Sequence, residues 1–146
     1  MRDWLALRGL LAVLVLRGAL LGLIAAQIAL GGNHVVIPPP EQSAVDLLQA
    51  LKAHRFEGAW MELSEPAGAR TAASDLQDLT RRLEEKGVWI VSLEGSERSR
   101  SGDQALVDVD LDLPSGSTGI TLPMRREQGE WKVDSIEPLA ALLASP

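Results

Sequence analysis

The sequence predicts an α+β domain set behind a separate apolar segment. Three observations carry that prediction. Residues 9–32 are almost wholly apolar, residues 41–87 repeat their apolar positions at helical spacing, and residues 88–136 repeat them at every second position. The expected architecture is an N-terminal apolar helix, then three helices packed on a curved four-stranded antiparallel sheet. The chain divides accordingly into residues 1–32, a signal anchor or signal peptide; 33–40, a proline-rich linker; and 41–146, an extracytoplasmic α+β domain.

The apolar segment, GLLAVLVLRGALLGLIAAQIALGG, holds one charge, Arg17, and one strongly polar residue, Gln27. A membrane-crossing helix needs about 20 mostly apolar residues. Arg17 costs roughly 2.5–3.5 kcal/mol at mid-membrane, and less where its side chain reaches an interface. Read this way, the segment anchors the chain in the cytoplasmic membrane by a single pass. A second reading has a basic n-region ending at Arg17, an h-region over residues 18–30, and cleavage near Gly31, with Ala29 and Gly31 as the small residues. In both, Arg2, Arg8 and Arg17 come first and acidic residues follow, so the rest of the chain lies outside. Gly18, Gly22 and Ala26 share one helix face, a spacing that suits close helix pairing in a homodimer or with a protein partner.

The linker reads NHVVIPPP, and its prolines favour an extended, semi-rigid spacer. A first helix is expected from Glu41 or Ser43, with Ala44, Leu47, Leu48 and Leu51 on one face. Residues 56–63 form a second, with Ala59, Trp60 and Leu63 inward, and residues 64–73 form a loop marked by Pro66 and Gly68. Ser74 is expected to cap the third helix, with Gln77 completing a capping box. Leu76, Leu79 and Leu83 are its stripe, and Gly87 ends it.

Residues 88–94, VWIVSLE, are expected as the first strand, with a polar turn over residues 97–103. In residues 104–113 Ala105, Val107, Val109, Leu111 and Leu113 alternate with Asp108, Asp110 and Asp112. After the turn PSGST, Ile120, Leu122 and Met124 face inward in a third strand, where Pro123 suggests an edge or bulge. Gln128 and Gly129 turn into a last strand over residues 130–136, and residues 138–144 form a short helix or apolar tail.

Charge narrows the function classes. From His34 onward 11 basic residues face 19 acidic ones, an acidic balance unsuited to nucleic acid or to anionic lipid surfaces. No cysteine is present, which excludes a disulfide framework, thiolate metal ligation and a cysteine nucleophile.

The order of helices, the aromatic-bearing segment FEGAWMELS and the ending GEWKVDSI resemble the nuclear-transport-factor-like cone fold, which includes ketosteroid isomerase-like and SnoaL-like proteins. The likeness covers residues 41–137 and is nearest to small exported or membrane-tethered bacterial members, which often end in G-x-W-K-V. It implies a cone-shaped domain whose superfamily hosts isomerases, dehydratases, carriers and assembly modules. Enzymatic members place Asp, His or Tyr inside the cone. This chain has no Tyr, with His34 in the linker and His54 at the end of the first helix.

No chemical constellation stands out. Asp108, Asp110 and Asp112 lack the Gly and the final acidic ligand of a calcium loop, and their alternation with Val109 and Leu111 turns them to solvent. The histidines have no zinc spacing, the serines no nucleophile elbow, and residues 116–119 no phosphate-loop lysine. No metal, cofactor or catalytic residue is therefore expected. Trp60, Trp89 and Trp131 are expected to fill the space between helices and sheet, or else to line an apolar ligand cavity. The function expected first is a non-catalytic accessory or protein-interaction domain at the outer membrane face. A carrier of a small apolar ligand comes second, and an enzyme using a cavity carboxylate third.

Overall fold

A computed structural model describes residues 36–146. The apolar segment, with Arg17, the face of Gly18, Gly22 and Ala26, the cleavage position near Gly31, and His34, lies outside the described residues. Among the described residues no helix is long and apolar enough to cross a membrane.

Helix α1 (Pro40–Lys52) starts one residue inside the expected linker. Pro39 is its extended N-cap, and Pro40 takes the first helical position, where a missing N–H costs nothing. Ala44, Leu47, Leu48 and Leu51 are all buried, as the spacing requires. The helix closes with paired reverse bonds, Arg55 N–H to the Ala50 carbonyl at 2.8 Å and His54 N–H to Leu51 at 3.0 Å. His54 is thereby held at φ +55°.

Helix α2 (Phe56–Met61) buries Ala59, and Leu63 is buried just after it, but Trp60 turns outward, against expectation. Residues 64–73 are not simply a loop. Ser64 caps a short helix, α3 (Glu65–Arg70), its Oγ accepting from Ala67 N–H at 3.3 Å, and Pro66 fits the first turn. The long helix α4 (Ala73–Glu85) is capped at Ala72 rather than Ser74. Asp75, not Gln77, folds its carboxylate back onto the Ala72 N–H at 2.8 Å. Leu76, Leu79 and Leu83 form the buried stripe, and Gly87 ends the turn at φ +81°.

The sheet is a simple antiparallel meander of β1 (Ser92–Ser101), β2 (Gln104–Leu113), β3 (Gly116–Glu127) and β4 (Glu130–Val133). Strand β1 lies further along the chain than expected. The β-formers Val88, Trp89 and Ile90 precede it, and the polar run SERSRS is strand rather than turn. Arg98 is bulged out between Glu97 and Ser99. A two-residue turn, Gly102 (φ +58°) and Asp103, sets the register of β1 on β2. In β2 the expected alternation holds, with Val107 opposite Leu122 and Val109 opposite Ile120.

Pro123 sits in an interior strand, which its sequence context did not suggest. Its carbonyl accepts from Asp134 N–H at 2.8 Å, so its missing N–H also faces that side, past the end of β4, and costs β2 no ladder bond. Strand β4 stops at Val133, three residues before the expected end. Its outer edge is covered by residues 62–64, where Ser64 N–H bonds the Val133 carbonyl and Val133 N–H bonds Glu62. Helix α1 packs against all four strands on one face. A short helix, α5 (Glu137–Ala140), continued by a 3₁₀ turn (Ala141–Leu143), adds buried Leu139. Among the described residues four helices therefore precede the sheet and one follows it.

Candidate functional site

The core between α1 and the sheet is filled by side chains: Leu47, Leu48, Val107, Val109, Leu111, Leu122 and Val133 are fully buried. Each such Leu or Val contributes roughly 1.5–3 kcal/mol relative to exposure. The open space lies at one end of the sheet. There a pocket of about 300 Å³ is walled by Leu51 and Lys52 of α1, Thr80, Leu83 and Glu84 of α4, and Val88, Trp89 and Ile90 of the segment before β1. Leu111 of β2 and Leu139 and Leu142 of the C-terminal turn complete it.

The walls are mostly apolar and the polar groups are few. The Thr80 hydroxyl donates to the Leu76 carbonyl at 2.8 Å, which removes its proton from the pocket. The Lys52 ammonium bonds the Val91 carbonyl at 2.6 Å, and Glu84 Oε1 lies 2.7 Å from His54 Nε2. The C-terminal turn is secured by Lys86, whose ammonium bonds the carbonyls of Leu143 and Ser145. This combination of an apolar bed and a charged mouth is the usual chemistry of a small-ligand site.

The structure does not bring the three tryptophans together. Trp131, 4% exposed, is core on the inner face of β4, with the Arg100 guanidinium 5.2 Å from its ring centroid. Trp60, 40% exposed, lies against Gly68, and its indole N–H donates to the Thr71 carbonyl at 2.8 Å, tying α3 to α2. Trp89, 50% exposed, is the single one of the three in the end pocket. The depression beside Trp60 is larger, about 900 Å³, but more open, and of the charges that edge it Lys132 pairs with Glu130.

The carboxylates are also dispersed. Asp108, Asp110 and Asp112 lie on the outer face of the sheet, opposite the helices. Hydrogen bonds from Thr121 and Arg98 hold Asp108 below the ordinary carboxylate range, and those from Ser92 and Ser117 do the same for Asp112. Asp134 accepts from Ser64 Oγ at 2.7 Å and from Arg125 Nε at 3.0 Å. Burial pushes its pKa up, but these partners outweigh it and the net shift is downward. Glu62 moves the other way. Burial raises its pKa, nearby Lys132 opposes that, and Asp46 and Glu130 add to it. Neither Asp134 nor Glu62 lines the end pocket. Among the described residues no three acidic or histidine side chains gather as metal ligands.

No protein-family model matches the chain. No curated protein matches it either. Solved structures do. A Campylobacter jejuni protein named as an NTF2-like transpeptidase superposes with a TM-score of 0.54 at 11% identity, over 67% of this chain and 99% of that one. An NTF2-like protein of unknown function from Cytophaga hutchinsonii gives 0.38 at 14% identity, over 69% and 94%. An LEH-like epoxide hydrolase from M. tuberculosis gives 0.34 at 16%, over 72% and 90%. The chain has the NTF2-like fold, the architecture that its helices and its GEWKVDSI ending resemble.

Proposed function

We propose that this NTF2-like domain is a non-catalytic, membrane-tethered binding module that holds a small apolar ligand in its end pocket. The observation that carries the reading is the pocket itself: about 300 Å³ of space walled by Leu51, Leu83, Val88, Ile90, Leu111, Leu139 and Leu142. That is about twice the apolar cavity that accommodates benzene in an engineered protein. A non-catalytic role is supported by the placement of the perturbed carboxylates, Glu62, Asp108, Asp112 and Asp134, away from the pocket. Tethering, single-pass topology and an outside domain are supported by the apolar run of residues 9–32 with its leading arginines. The face of Gly18, Gly22 and Ala26 would then bring two copies together in the membrane.

The test uses the full chain in nanodiscs with a diazirine-bearing decanol as probe. After photolysis, adducts mapped by peptide mass spectrometry are expected on residues 88–90 and 139–142. Leu83→Trp, which fills the pocket, is expected to remove them. Adducts scattered over the surface, or unchanged in Leu83→Trp, would overturn the ligand-binding reading.

A further inference from the structure

Two charged side chains, Lys52 and Glu84, line the pocket. The ammonium of Lys52, at the C-terminal end of α1, reaches across to the carbonyl of Val91, the residue after the lining segment 88–90, at 2.6 Å. That bond uses one of the three ammonium donors. Among the described residues Lys52 has no ion-pair partner. The other charged group, Glu84, is turned to His54 Nε2 at 2.7 Å. Thr80 has its proton on the Leu76 carbonyl. A molecule with its tail among the leucines therefore meets a cation with donors to spare.

We propose that the ligand of this pocket is an apolar molecule with an anionic head, of the class of a medium-chain carboxylate, and that Lys52 binds the head. This rests on the ligand-binding reading above. A volume of about 300 Å³ equals roughly ten water volumes, which suits a tail of about ten carbons. A neutral head can accept a hydrogen bond from the ammonium but brings no opposite charge to it, and a cationic head is repelled by it. An anionic head gains a charge-assisted hydrogen bond, the stronger kind, at a site with apolar walls.

The experiment compares photoreactive decanoate with the same decanol probe on the full chain in nanodiscs, at neutral pH. The readout is the ratio of the two half-saturating concentrations for adducts in the pocket. Comparing that ratio between proteins cancels the partitioning of each probe into lipid. Replacing Lys52→Gln is expected to shift it against decanoate by about tenfold. Lys52→Arg is expected to restore most of the preference. An unchanged ratio in Lys52→Gln, with both probes still labelling the pocket, overturns the anionic-head proposal and leaves ligand binding standing. Loss of pocket labelling by both probes in the unmodified chain sinks the two together.

Discussion

The two ends of the sheet are built on opposite principles. At one end the start of α1 comes down onto β1, and Gly95 makes room for it: a Cβ there would lie 3.0 Å from Val45 Cγ2 and 3.3 Å from the Glu41 carbonyl oxygen. Trp131 fills the space under β4, and Arg100, itself held by Glu97, covers its ring. At the other end α1 finishes at Leu51 and Lys52, and the nearest tryptophan, Trp89, stands half outside. The same helix thus seals the sheet at its beginning and leaves a pocket at its finish. An aromatic side chain stabilises the first end by being enclosed, whereas at the second it borders a space left for something else.

The sharpest test of that contrast replaces one tryptophan at each end. Trp131→Ala is expected to cost about 3–5 kcal/mol in urea unfolding, the usual penalty for emptying an enclosed aromatic site. Trp89→Ala, half exposed, is expected to cost less than about 1 kcal/mol. Equal losses would erase the distinction between the ends. Next in size is Gly95→Ala, which obliges α1 or the Val45 side chain to give way and is expected to cost about 1–3 kcal/mol. A neutral result would mean that α1 does not seat so closely on β1.

The last comparison concerns the clasp between Ser64, Arg125 and Asp134. The folded pKa of Asp134 lies below its ordinary value. Its contribution is therefore fully present above an unfolded pKa of about 3.9 and is lost as pH falls through the lower folded value. Asp134→Asn is expected to lose about 1–2 kcal/mol at neutral pH. The gap between variant and parent should close in acid, read as urea midpoints from pH 6 down to 2. A gap that stays constant with pH would show that the carboxylate charge adds nothing to the clasp.

Much of the fold was legible where one physical signal acted alone. The period-two run of β2 has a buried face and an aspartate face, so alternation settled both its span and its orientation. The stripe Leu76, Leu79 and Leu83, with Gly87 after it, settled the buried face and the end of the long helix, though not its cap. Sequence misled where local preference and tertiary context disagreed. Val88, Trp89 and Ile90 have strand-forming side chains but serve as pocket wall, while β1 is made of serines, glutamates and arginines held by backbone pairing to β2. The available signal was Gly102-Asp103, a two-residue hairpin turn that fixes where β1 must end. Helix α3 was missed because Pro66 and Gly68 read as loop, although Ser64 two residues before Pro66 is a helix start. The pocket was not legible at all. Its walls come from α1, α4, the segment before β1, β2 and the C-terminal turn, and no sequence pattern joins segments so far apart.

The polar make-up of β1 has a consequence for the molecule among its own copies. Among the described residues β1 is a terminal strand of ten residues paired on one side only, the kind of template on which other chains stack into fibrils. Here that strand carries Glu94, Glu97, Arg98 and Arg100, interrupted by a bulge, while the apolar β-formers stand just outside it. A neighbouring chain approaching this edge meets charges and a break in register instead of a straight apolar row. The displacement that hid β1 from sequence reading is thus also what keeps the open side of the sheet from recruiting its own kind.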